Sequence, residues 1–320
     1  MGRNGKWIDS QPDDAVQAIA RRALKARLGQ VWHYLELAVR ESSCDTENVH
    51  QLRVFSRRAA AALEMFEAWL PPRRGRWIRK QVKRIRKAAG EGRDLDVLRM
   101  RWTAGGQPLP PDQAVVLLEQ VQHRRRAAQR PIEAIYEKLL SKRFPRRTSE
   151  FLQRLRPNDG AGPCANRFGC LAHRALGRLV VPYWAAAQAP LADDEALHAF
   201  RIQGKQVRYA MEIFAGAFDA PFRQKLYPVV AALQERLGAI NDHVVAQTYL
   251  VRWHEDVESC ALRQALEIGM QHEQRALDAS RQEFLAWWTL ERQDDLRRHF
   301  ARYVQWENPD ERPPCDRCGC

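Results

Sequence analysis

Two short segments of this 320-residue chain set histidine and strongly basic residues at the same spacing. His50, Arg53 and Arg57 are followed by Glu64; His198, Arg201, Lys205 and Arg208 are followed by Glu212. On a helix, positions 50, 53, 57 and 64 fall within about 60° of one another at 100° per residue. Such a face can hold an anion. Arg forks onto two phosphate oxygens and Lys acts as a movable point charge. A neutral His donates one hydrogen bond, and a protonated one adds charge as well. Between the two segments, RWIRKQVKRIRKAAG carries Arg76, Arg79, Lys80, Lys83, Arg84, Arg86 and Lys87 with no carboxylate among them. Its apolar seam is narrow: Ile78, Val82, Ile85 and Ala89, with Arg76, Lys80, Lys83 and Lys87 opposite. A basic face kept only for solubility is the alternative. Solubility is served by mixed signs, however, and like charges one turn apart weaken a helix by a few tenths of a kcal/mol each. The unmixed row therefore points to an anionic ligand.

Other chemistry finds less footing. No GxxxxGK(S/T) loop offers a nucleotide site, and no HExxH or acidic metal cluster occurs. No catalytic residue, metal site or cofactor is expected. Glu64 and Glu212 are expected to orient neighbouring Arg and Lys through ion pairs. Asp94 and Asp242 are expected to cap helices by accepting from free first-turn amides. Seven cysteines form no disulfide framework. Cys44, Cys164, Cys170 and Cys260 are scattered and read as idle or buried thiols. Cys315, Cys318 and Cys320 cluster in CDRCGC, three thiols where zinc ordinarily takes four ligands, and this stretch reads as a flexible tail.

The elements that must position these residues repeat. At a constant offset of 148, His50 matches His198, Arg53 matches Arg201, Arg57 matches Lys205 and Glu64 matches Glu212. Phe66 and Phe214, Gly90 and Gly238, and Asp94 and Asp242 continue the register. This predicts an internal duplication. Three- and four-residue apolar spacing predicts helices over 13–40, 46–69, 76–89, from after Gly92, 113–142, and around 149–155. In the second copy it predicts helices over 166–188, 194–217, 221–237, 242–256 and 261–290, with Pro182 kinking or dividing the first. RPNDGAGPC, 156–164, reads as the linker. No segment alternates as a strand, so the expected fold is all-α. The domain spans 13–305, its copies 13–157 and 164–305, between an N-terminal tail of 1–12 and a Cys-containing tail of 306–320.

Charge narrows the partner without naming it. Lys and Arg number 52 against 39 Asp and Glu, a formal net charge of +13. Such a protein favours a polyanion: nucleic acid, an acidic membrane, an acidic protein or a phosphate polymer. Residues 49–100 hold 14 Lys and Arg against 5 Asp and Glu, whereas 197–250 hold 6 against 4. The charge is concentrated in the first copy. No run of eighteen apolar residues and no signal-like start occurs, so membrane insertion is not expected and the cytoplasm is.

With these residues in hand, the sequence resembles the conserved histidine α-helical domain, CHAD. The resemblance rests on VHQLRVFSRRAAAALEMF with RKQVKRIRKAAGEGRDLDV, and on LHAFRIQGKQVRYAMEIF with VVAALQERLGAINDHVV. It covers roughly 13–300. It implies two antiparallel helical bundles related by a pseudo-two-fold, with a basic groove or channel between them. It also implies binding of inorganic polyphosphate and association with polyphosphate granules. By position, the implied ligand-facing residues are His50, Arg53, Arg57, Lys80, Lys83, Lys87 and Arg93, with His198, Arg201, Lys205 and Arg208. Arg58 and Arg84 sit off the main stripes. This domain is often joined to a triphosphatase bearing Glu-x-Glu-x-Lys, a motif not found in this sequence, so a stand-alone, non-catalytic domain is expected. Two departures weaken the second copy: LYPVVAALQERLG has few cations, and Asn241 stands where Arg93 does in the first. The rival readings are a nucleic-acid-binding helical protein, with nucleic acid otherwise a weaker competitor, and a polyphosphate-processing enzyme.

Overall fold

The structure is a computed structural model and describes residues 6–40, 46–103, 110–157 and 166–304. Apart from one isolated bridge between Ala15 and Arg167, the described residues contain no β-structure. The fold is all-α. In chain order the helices are α1 (Val16–Arg40), α2 (Glu47–Met65), α3 (Pro72–Ala88), α4 (Gly90–Thr103), α5 (Pro111–Ala127) and α6 (Arg130–Ser141). They continue as α7 (Phe144–Gln153), α8 (Phe168–Ala187), α9 (Asp194–Phe214), α10 (Tyr227–Glu255), α11 (Cys260–Trp287) and α12 (Leu290–Ala301).

Three apolar clusters hold these helices. The first joins α1, α2, α3, α6 and α7 around Leu28, Val31, Phe66, Ile85 and Phe151. The second joins α8, α9, the start of α10, the end of α11 and α12 around Tyr183, Phe200, Leu233 and Phe300. The third joins α4 and α5 to the far half of α10 and the start of α11, through Trp102, Leu117, Leu250 and Trp253. α2 packs on α9, and α4 packs on α10, so the basic stripes of both halves meet near the centre. The apolar seam predicted for α3 is real: Ile78, Val82, Ile85 and Ala89 are at most 1% exposed. Burying this seam leaves the opposite, cationic face of α3 to solvent.

Several boundaries differ from the sequence reading, each for a physical reason. α3 begins at Pro72, which suits a first helical turn because its missing N–H has no partner to lose. Gly90 does not stop the chain for long; α4 starts there, and Asp94 lies inside it rather than capping it. α10 runs unbroken through Gly238 and Asp242, so Asp242 is not a cap either. The helix expected over 113–142 is two, α5 and α6, parted at Ala128–Gln129 with Pro131 in the first turn of α6. α8 continues through Pro182 undivided. α12 is a separate helix that the apolar spacing does not mark; Trp288 and Thr289 break it from α11, and the Thr289 hydroxyl caps it. Residues 6–12, expected as tail, are anchored: Ile8 is buried and the Trp7 ring meets Tyr227 edge-on at 4.7 Å. Cys44, Cys164, the terminal thiols Cys315, Cys318 and Cys320, and most of the expected linker lie outside the described residues. Cys260 is exposed and Cys170 half-buried.

Candidate anion-binding site

A cavity of about 650 Å³ opens where α2, α3 and α9 converge. Arg53 and Arg57 enter from α2, Lys83, Arg86 and Lys87 from α3, and Arg201 and Lys205 from α9; Glu64 is its one lining carboxylate. Each helix can spare these side chains because its other face is core. On α2 that face is Phe55, Ala59, Ala62 and Phe66, and on α9 it includes Phe200, Val207 and Met211. Gly90, where α4 begins, borders the cavity, and a Cβ there would come 3.1 Å from Arg53 Nη1. The glycine leaves room for that guanidinium.

Most of these cations have no contact ion pair among the described residues. Arg57, Lys83, Arg86, Lys87, Arg201 and Lys205 form no ion pair with a described residue. Arg201 Nε is buried without a hydrogen-bond partner. Arg53 alone is tied, to Asp94 at 3.3 Å. That pairing is what Asp94 does instead of capping; burial pushes its carboxyl upward while Arg53 opposes the shift. Asp242, across from it, biases Arg201 and Lys205 through space. The crowding shows in Lys205, whose ammonium is pushed down to about 7 by burial and then by Arg57 and Arg201. Burial is the larger cause, and the neighbouring guanidinium groups add to it.

The remaining predicted residues lie elsewhere. His198 lines a smaller hollow of about 70 Å³ with Asn241 and Arg281; Arg201 lines both this hollow and the main cavity. His50 and Arg93 neighbour one another outside the cavity lining; burial, then Arg93, holds the His50 imidazole below its ordinary value. Lys80 is exposed on α3, outside the cavity. Arg208 turns inward, 3.1 Å from Glu212 and 3.2 Å from the Tyr227 hydroxyl. Glu212, fully buried, also accepts from Arg58 Nε at 2.8 Å and from Tyr227 at 2.8 Å. Its expected role as an orienting ion-pair partner therefore holds for Arg208. Glu64, by contrast, is exposed and pairs with no described residue. Beside this hub, the fully buried Arg27 donates to the Arg58 carbonyl at 2.9 Å.

Arg86, Ile202, Gln206 and Tyr209 also line the cavity; Arg86 is off the stripe that spacing marks, and the other three carry no charge that sequence could single out. Of the lining residues only Tyr209 is aromatic, and it is 6% exposed with the Arg208 guanidinium over its ring at 4.7 Å. Among the described residues no group of three His, Cys, Asp or Glu could hold a metal ion. Among the described residues no helix is long and apolar enough to cross a membrane.

Compared with known families, the chain matches the CHAD domain over residues 22–251. Among solved structures, the CHAD domain from the plant Ricinus communis is similar at 24% identity and a TM-score of 0.66, over 87% of this chain and 94% of that one. PptA from Streptomyces chartreusis is similar at 18% identity and a TM-score of 0.60, over 86% and 99%. No curated protein matches.

Proposed function

The chain belongs to the CHAD domain family, and on that footing we propose that it binds inorganic polyphosphate in the cavity between α2, α3 and α9, without chemistry on it. The observation that carries this reading is the convergence of seven cations from three helices against one lining carboxylate. Arg53, Arg57 and Arg201 would fork onto phosphate oxygens, and Lys83, Lys87 and Lys205 would follow a flexible chain as point charges. The ligand supplies the negative charge that the cavity lacks. Much of the affinity would come from counterions released by the polymer, as with nucleic acid. Association with polyphosphate granules in the cytoplasm follows as the physiological setting of this reading. Stacking of nucleobases has little to use here, since the only aromatic of the lining is buried under Arg208.

Titration with labelled long-chain polyphosphate at several salt concentrations, with single-stranded DNA as competitor, tests the proposal. Tight, steeply salt-dependent binding that DNA does not displace is expected. Absence of binding at low salt overturns it, and equal displacement by DNA reduces the site to a general polyanion receptor. Incubation of the complex with magnesium or manganese should release no phosphate; steady release would make the protein an enzyme.

A further inference from the structure

A second basic hollow lies at the other end of α3. About 340 Å³ in volume, it is lined by Arg73, Arg74 and Trp77 of α3 and by Arg147, Glu150 and Phe151 of α7. The Arg147 guanidinium lies 5.0 Å over the Trp77 ring, which fixes it at the rim. Glu150 is held by Arg146 at 2.9 Å, outside the hollow's lining, so its charge is already matched. Arg73, Arg74 and Arg147 form no ion pair with a described residue. The first turn of α3, beginning at Pro72, adds the positive end of the helix dipole.

The two hollows are connected by charge. Wound at 100° per residue, Arg73, Trp77, Lys80, Arg84 and Lys87 fall within about 80° of one another. They form one line along α3, about 21 Å from Arg73 to Lys87 at 1.5 Å per residue. One end is in the small hollow and the other in the main cavity. Arg79 is the α3 cation with a carboxylate partner, Glu67, and it points off this line. Among the described residues Arg84 reaches the neutral Gln81, at 3.3 Å.

We infer that α3 is a track for a linear polyphosphate, which leaves the main cavity at Lys87, passes Arg84 and Lys80, and ends in a second anion site at Arg73, Arg74 and Arg147. This rests on the polyphosphate reading and adds a consequence to it: affinity depends on chain length. A chain that reaches both sites binds the second at the high effective concentration set by the first, whereas a short chain cannot.

The test compares long-chain polyphosphate with tripolyphosphate, on the wild type, on Arg73→Glu/Arg74→Glu, on Arg147→Glu and on Lys80→Glu. For the long chain, each variant should lose about tenfold in affinity. The double variant should also flatten the log–log salt slope by roughly 1–2, since single strands give about 0.7 per phosphate neutralised. Tripolyphosphate should keep its tightest affinity within about twofold in all of them. Circular dichroism and thermal melting check the fold, and the exposed Arg147 on α7 carries the test if the α3 variants melt early. Unchanged long-chain affinity in the variants overturns the track, as does an equal loss for both ligands. Failure of the wild type to bind any polyphosphate overturns the underlying function instead, and the two failures are told apart in the same titration.

Discussion

α3 and the start of α10 stand in the same register of the repeated sequence, yet they have opposite surfaces. At the offset of 148, Lys80, Lys83 and Lys87 correspond to Pro228, Ala231 and Glu235. α3 lends Lys83, Arg86 and Lys87 to the main cavity, whereas no residue of α10 lines it. The same divergence separates the two glutamates. Glu64 is an exposed residue at the cavity wall, while Glu212 is the buried centre of an Arg58, Arg208 and Tyr227 network. Cavity-lining charge thus comes mostly from the first half, and Glu212, at the matching offset in the second half, is a strut between α2 and α9.

The largest effect that could break this comparison concerns the glutamates. Glu212→Gln leaves Arg27, Arg58 and Arg208 without their buried counter-charge, and should cost roughly 3–5 kcal/mol in urea unfolding. Glu64→Gln should stay within about 0.5 kcal/mol. Similar costs would mean that the two positions have not diverged. The next effect is on binding. Lys83→Glu/Lys87→Glu should weaken long-chain polyphosphate binding by about 100-fold, two lost charge-assisted contacts at about 1.5 kcal/mol each. Arg223→Glu/Lys225→Glu, exposed just before α10, should change it less than about threefold.

A smaller effect, in pH, sharpens the picture of Lys205. Its folded-state value of about 7 lies below the unfolded value of 10.5, so the unfolded chain binds more protons between them. Stability of the free protein through this group therefore rises with pH over that window. Phosphate oxygens favour the charged form, so the complex takes up a proton and affinity falls as pH rises above 7. Between pH 7 and 8.5 the loss should be about tenfold. Lys205→Arg, permanently charged, should lack most of that dependence, as read from titrations in matched ionic strength.

The sequence disclosed the helices and the stripes because both are local. Cations at three and four residues on α2, α3 and α9 share a face whatever surrounds them, and the Ile78–Ala89 seam says which face is buried. What it hid is tertiary. Asp94 looks like a cap when Gly90 and Gly92 are taken as a break, but its partner, Arg53, comes from another helix. Arg208 belongs to the stripe by spacing; Glu212 one turn on and Tyr227 at the start of α10 draw it inward. Arg27 sits in the apolar stripe of α1 with no sequence cue that a carbonyl of α2 would receive it. The small hollow at Arg147 needs α7 to be folded against α3 before it exists.

The most direct test of the central claim makes the same formal charge change at two different places. Arg57→Glu/Lys205→Glu reverses two cavity cations, while Lys25→Glu/Lys138→Glu reverses two exposed ones on α1 and α6. Affinity for long-chain polyphosphate should be measured for both at one ionic strength. The account predicts a loss of about 100-fold for the cavity pair and less than about threefold for the surface pair. Equal losses would contradict it, because binding would then follow the protein's net charge and not the cavity that α2, α3 and α9 enclose.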